Sequence, residues 1–146
     1  MRGAGVSGPI RWKLHLPAPP ETVYRALASD EGRASFWAER AVEREGAVHF
    51  EFSNGVTYEA RILEREAPHR FSLEYFGARA SFVLAPDGKG GTDLTLMHDG
   101  VASQEWIETH AGWLNVLFPL KAYLAFGVDL RNHDRARLWD HGYADA

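Results

Sequence analysis

Between Trp106 and Val128 apolar side chains recur at spacings of three and four. Trp106, Ile107, Trp113, Leu114, Leu117, Leu120, Leu124 and Val128, with His110 among them, therefore predict a helix. Val116, Phe118, Tyr123 and Phe126 fill the gaps between those positions and leave little polar face. A helix of this kind is buried on most sides. A flat sheet covers one side only, so a sheet that serves such a helix has to curl round it. Pro119 predicts a bend or one lost hydrogen bond along the way.

The preceding residues supply that sheet. Residues 10–16 alternate strictly, with Ile10, Trp12, Leu14 and Leu16 against Arg11, Lys13 and His15, and read as a half-buried strand. Pro17, Pro19 and Pro20 end it, and Pro20 opens a short amphipathic helix carrying Val23, Ala26 and Leu27. A second short helix is expected over Asp30–Trp37, capped by Ser29 or Asp30. From about residue 38 the period is two: a weak strand before Gly46, then GAVHFEF, VTYEARILERE, HRFSLEYF, ARASFVLA and TDLTLMHD, joined by short turns such as Ser53-Asn54-Gly55. The expected fold is α+β: a curved antiparallel sheet of about seven strands, two short helices after the first strand, and a long C-terminal helix in its grip. A curled sheet and a helix rarely fill all the space between them, so a cavity is the expected by-product.

Length and composition narrow the function classes. At 146 residues the chain reads as a single domain, 1–146, able to bury a core without staples. Cysteine is absent, which removes disulfides, thiolate nucleophiles and cysteine-ligated zinc. The net charge is −4 and the basic residues are scattered, so no nucleic-acid partner is expected. The stretch MRGAGVSGPI has no apolar run of the secretory kind. The apolar stretch Trp113–Val128 carries Asn115, Pro119 and Lys121 and falls short of the ~20 residues of a membrane span. The reading is a soluble cytoplasmic protein with no membrane span.

Several pieces in this order resemble the START-like, helix-grip superfamily (SRPBCC), and within it the bacterial branch named after the activator of heat-shock protein 90 ATPase. They are the first strand, the Pro-Pro-Glu-Thr-Val-Tyr-Arg-Ala-Leu start at 19–27, Phe36-Trp37, the Gly91-Thr92-Asp93-Leu94-Thr95-Leu96 entry to the last strand, and Gly112-Trp113 followed by Leu117, Leu120 and Leu124. The resemblance spans about residues 10–130. It implies a pocket for a hydrophobic or amphipathic small molecule; elsewhere in the superfamily the fold implies lipid transfer, polyketide cyclisation, hydrolysis or a chaperone contact. The charged stretch DLRNHDRARLW after Gly127 departs from the pattern, and no role is assigned to it.

In the cavity that this fold implies, Trp37, Phe50, Phe82 and Trp113 form apolar walls, with Leu117 packed from the helix. Polar residues in phase with the buried face are the candidate ligand anchors: His98 beside Leu94 and Leu96, Tyr58 and Tyr75 on their strands, and His110 and Asn115 on the helix. A buried polar group needs a partner, and a ligand's polar end is one such partner. Other chemistry lacks its pattern. DGKGGTD has Gly90 after Lys89 and a strand after the loop, so it reads as a hairpin turn, not a phosphate cradle. Two histidines four apart and a Gly-x-Ser-x-Gly turn are both missing. No metal, cofactor or catalytic set is expected. The leading reading is a binding protein for a hydrophobic or aromatic small molecule. The alternatives are a module that contacts a chaperone or other protein, and a cyclase- or hydrolase-type enzyme in which His98 or His110 moves protons.

Overall fold

The computed structural model describes residues 8–146; positions 1–7 of the N-terminal stretch discussed above lie outside the described residues. Seven strands form one antiparallel sheet: β1 (Ile10–Leu16), β2 (Arg40–Arg44), β3 (Ala47–Glu51), β4 (Thr57–Glu66), β5 (Arg70–Tyr75), β6 (Ala78–Pro86) and β7 (Thr92–Asp99). Their order is β1-β7-β6-β5-β4-β3-β2. Strands β2 to β7 are thus a meander of hairpins, and β1 closes against its far end. A register shift between Ile62 and Glu64 bends β4 at the middle of the sheet. Phe71, Phe82, Leu96 and Trp12 stand opposite one another on successive strands. Their side chains make a continuous cross-strand row on the concave face.

Two short helices fill one end. Helix α1 (Pro20–Ala28) starts with proline at its first position, where no N–H is needed. Helix α2 (Asp30–Ala34) is capped by Ser29, whose hydroxyl accepts from the Gly32 N–H at 3.0 Å. It stops three residues short of the expected Trp37, and the turn that follows drops Phe36 and Trp37 into the core. Arg33 is completely buried. Its guanidinium donates to the carbonyls of Leu27 and Ala41 at 3.1 Å each and to the Asp30 carboxylate at 2.6 Å. Burial lowers its pKa, and Asp30 acts against that. A single charged side chain therefore ties α1 and α2 to β2.

The C-terminal helix is long but made of three pieces: a 3-10 turn (Ser103–Glu105), α3 (Trp106–Gly112) and α4 (Leu114–Phe126). The interruption falls at Trp113, whereas Pro119 sits inside α4, which runs on through it. Trp113 keeps helical dihedrals, and its carbonyl accepts from both Val116 and Leu117, at 3.0 and 2.9 Å. The expectation of burial on most sides holds only in part. Leu117, Leu120 and Ala122 are buried, yet Phe118 is 54% and Phe126 75% exposed. One layer of sheet covers one flank of a helix, and an open sheet does not reach round to the other. Gly127, with φ of 66°, takes the left-handed cap that ends α4. No helix among the described residues is long and apolar enough to cross a membrane.

Leu117 is 2% exposed beneath α4. Leu117→Ala is expected to cost about 2–5 kcal/mol, seen as a lower urea midpoint. An unchanged midpoint would show that the helix does not carry the core.

Candidate functional site

Between helix and sheet the chain assembles an aromatic cluster. Trp37 lies at its centre, with ring centroids 5.0 Å from Phe50, 5.6 Å from Tyr75, 5.5 Å from Phe82 and 6.1 Å from Trp113. These are contact distances for tilted and edge-on rings. The polar atoms of the cluster satisfy one another. The Trp37 indole N–H donates to the Tyr75 hydroxyl at 3.1 Å, and the Trp113 indole N–H donates to His98 Nδ1 at 3.0 Å. Because an indole only donates, Nδ1 is the bare nitrogen. Nε2 then carries the proton and donates to the Tyr75 carbonyl at 2.9 Å. Burial pushes the His98 pKa down, against the carbonyls of Tyr75 and Ala78, which favour the charged form. Burial also pushes the Tyr75 phenol up.

The structure thus brings together Trp37, Phe50, Tyr75, Phe82, His98 and Trp113, with Leu117 in the same core. Of the remaining candidates Tyr58 lies at the edge of the cluster, its ring 6.3 Å from Tyr75, and His110 and Asn115 lie outside it. The Tyr58 ring stacks on Phe76 at 4.2 Å; its hydroxyl donates to the Glu74 carboxylate and accepts from the Gly77 N–H at 3.3 Å. His110 is held between two indoles, 4.4 Å from Trp12 and 4.7 Å from Trp106. Its carbonyl also accepts from the Trp12 indole at 3.0 Å. The Asn115 amide turns away from the sheet and donates to the Ala144 carbonyl at 2.5 Å. Rings occupy the space where an open cavity with polar anchors was expected, because large aromatics arrive there from the α2–β2 turn, the sheet and the helix together.

Open volume lies at the margin of this cluster. A groove of about 330 Å³ is lined by Phe52, Val56, Tyr75, Phe76, Asn115 and Trp139, among others. Tyr75 belongs to both cluster and groove, so the groove floor is the edge of the aromatic core. On the other side of Trp139 and Asn115 lies a second groove of about 340 Å³, with Leu114, Phe118, Pro119 and Leu130 in its walls. Two further hollows are present, the first of them polar. One, of about 400 Å³ on the outer face of β2–β4, is lined by Arg40, Arg44, His49, Glu51 and Glu59 together with Phe50 and Tyr58. The other, of about 450 Å³, surrounds the glycine-rich turn. There the Asp87 carboxylate accepts from the Lys89 and Gly91 N–H groups and pairs with His15, which together hold its pKa at about 2. That loop is a capped hairpin turn leading into β7, as its sequence indicates.

Phe52, Phe76 and Trp139 escaped the sequence reading. Phe76 and Gly77 form the two-residue loop between β5 and β6, with φ of 52° and 86°. Such a turn favours Asn, Asp or Gly at its first position, and a bulky residue with positive φ stores strain of about 1–3 kcal/mol. The visible signal was a phenylalanine where turn chemistry calls for asparagine. For Trp139 the signal was a lone indole in a charged tail. Among the described residues, no group of three or more His, Asp or Glu side chains is placed to hold a metal ion.

A sheet that grips a C-terminal helix, with two short helices between the first and second strands, defines the START-like helix-grip class. The chain belongs to the family of Activator of Hsp90 ATPase homolog 1-like proteins, whose model matches residues 17–125. Solved structures agree in fold. Protein SSP2350 from Staphylococcus saprophyticus is 22% identical, with a TM-score of 0.75 over 84% of this chain and 96% of that one. The Aha1 dimer from Colwellia psychrerythraea is 20% identical, with a TM-score of 0.72 over 82% and 97%. DynU16, a protein in the dynemicin biosynthetic locus, is 21% identical, with a TM-score of 0.71 over 83% of this chain and 48% of that one. No curated protein matches the chain.

The His98 geometry has a measurable consequence. A histidine held neutral by burial takes up its proton in the unfolded chain first, so stability is full above the ordinary value of 6.5 and falls as pH drops below it. Trp113→Phe should cost about 1–3 kcal/mol by leaving Nδ1 buried without a donor. His98→Gln should flatten the fall in urea midpoint between about pH 7 and pH 5. The comparison at each pH removes the opposite contribution of His133, whose pKa is raised by Asp129 and Glu39. A variant slope as steep as the wild type would place the acid sensitivity elsewhere.

Proposed function

We propose that the protein binds a hydrophobic or aromatic small molecule, and that the binding site is the groove beside Tyr75. The observation that carries this reading is the position of that groove. It opens onto the aromatic core at the junction of the β3–β4 turn, the β5–β6 turn and the helix, and Phe52, Val56 and Phe76 form its apolar wall. Phe76 strengthens the case. Its ring is half-exposed on a strained turn, stacked on Tyr58 and tilted against Phe52 at 5.9 Å. A strained aromatic kept at the rim of an apolar groove is better accounted for by what it touches there than by the turn it occupies. Of the residues expected to hold a ligand, Tyr75 and Asn115 line this groove. Trp37, Phe50, Phe82 and Trp113 back it from behind, while Phe50 and Tyr58 also border the polar hollow on the outer face. The helix-grip fold of the family is in keeping with ligand binding.

A second reading, for which a filled cavity and an exposed apolar patch are expected, rests on the ring-filled centre and on one exposed face. Ile107, Phe118 and Phe126 stand exposed on the outside of the helix, which suits contact with a chaperone or other protein. It predicts that Phe126→Ser abolishes the contact and leaves small-molecule binding intact. The proton-transfer alternative is poorly served. The His98 ring is 1% exposed with both nitrogens bonded, and His110 is clamped between indoles.

Nile red, a neutral flat dye, should bind saturably to the folded protein with enhanced fluorescence. Phe76→Asn then separates function from stability. Asparagine suits the turn, so the thermal midpoint should hold or rise, while the dye should bind several-fold more weakly through loss of a ring worth about 0.5–1.5 kcal/mol. Equal affinity in the two proteins, or no saturable binding in the wild type, would remove the groove as the site.

A further inference from the structure

The family match ends at residue 125, yet one wall of each apolar groove is built from residues beyond it. After Gly127 the chain turns back and is pinned across the open flank of the helix. Arg131, its side chain only 7% exposed, donates to the carbonyls of Ala34 and Ala38 at 2.9 Å each and to Asp129. His133 bridges two carboxylates, Glu39 at 2.6 Å and Asp129 at 2.7 Å. Further on, the Trp139 indole donates to Glu108 at 2.9 Å and the Ala144 carbonyl accepts from Asn115. Trp139 and Asn115 line both grooves, so the two are halves of one trench parted by the strap's indole and the helix's amide.

We propose that residues 129–146 form a releasable strap in which Trp139 plugs this trench, and that a flat, uncharged aromatic molecule gains the trench when the strap lets go. The inference rests on the small-molecule reading above. Two features support release, and a third indicates the ligand. The Trp139 side chain is held by one exposed hydrogen bond, and the buried anchor of the strap, Arg131, lies eight residues before it. His133 sits at φ of 53°, a conformation costly for a non-glycine residue and held by its two ring contacts. The indole is itself a flat aromatic, so what the trench holds in the closed state indicates what it takes in the open one. The groups facing the His133 ring are Asp129 and Glu39, with Arg131 paired to Asp129 behind it. Hydrogen bonds to Asp129 and then Glu39 raise the His133 pKa, against burial. The clasp is therefore complete at low pH and is lost as pH rises through that raised value.

Two measurements on the full chain test the strap. The first is trypsin cleavage after Arg135 and Arg137, normalised at each pH to a short peptide substrate. Cleavage should accelerate as pH rises in the wild type, and His133→Ala should be cut fast at every pH; identical rates and profiles would overturn the clasp. The second is Nile red binding. A cover open in about one molecule in ten weakens apparent affinity about tenfold, so Trp139→Ala should tighten the dye by about that factor and His133→Ala should speed its association. Weaker or equal binding by Trp139→Ala, with the wild type still binding, would make Trp139 an ordinary wall and overturn the strap alone. No saturable binding by the wild type would overturn the small-molecule reading, and the gate with it.

Discussion

The hydrogen bond from the Trp113 indole to His98 Nδ1 joins the gripped helix to the last strand of the sheet, and much of the molecule is arranged to keep it dry. An imidazole that accepts from an indole has to be neutral, with its other proton spent on the Tyr75 carbonyl. That fixes the helix against β7 and β5 at once. Trp37 then closes over the pair and bonds the Tyr75 hydroxyl, so strand, helix and the α2–β2 turn meet at three polar contacts inside a shell of rings. The interruption of the helix coincides with this point: Trp113 is the residue between α3 and α4, and its side chain is the one anchored to the sheet. The interruption therefore falls at the anchored residue and not at the proline further on.

A filled centre moves any binding function outward. Rings that arrive from three directions leave no room at the middle of the grip, but they leave an aromatic edge, and Tyr75 presents that edge to the groove. The β5–β6 turn carries Phe76 in a conformation that costs energy locally and extends the aromatic surface by one ring. The stretch after Gly127 lies across the same opening. Arg33 and Arg131 act at the opposite end, each using a guanidinium to satisfy backbone carbonyls around α2, so the short helices and the strap share one buttress.

The strand pattern was almost wholly legible. Ile10–Leu16 and Thr92–Asp99 alternate in sequence and pair in the structure residue for residue, from Ile10 with His98 to Leu16 with Thr92. The inward direction of His98, Tyr75 and Phe82 followed from the same period of two. The helix was legible in period and misleading in burial, because hydropathy records what a side chain prefers and not whether a neighbour exists to cover it. Phe118 and Phe126 show the difference. Arg33 inverted the rule the other way. A charged residue is read as surface, yet three acceptors from separate segments make its burial affordable.

By itself, then, the sequence determined the meander, the two short helices, the apolar helix and the inward set of aromatics, since each depends on local periodicity or on turn chemistry between near neighbours. Only the tertiary structure decided that those aromatics touch, that Tyr58, His110 and Asn115 find partners outside the cluster, and that Trp139 returns to lie against Asn115 between two grooves. The reason is geometric. Whether a space between elements is open or filled depends on the summed volumes of side chains from distant segments and on which donor reaches which acceptor first. Neither quantity is encoded in the spacing of residues along any one segment.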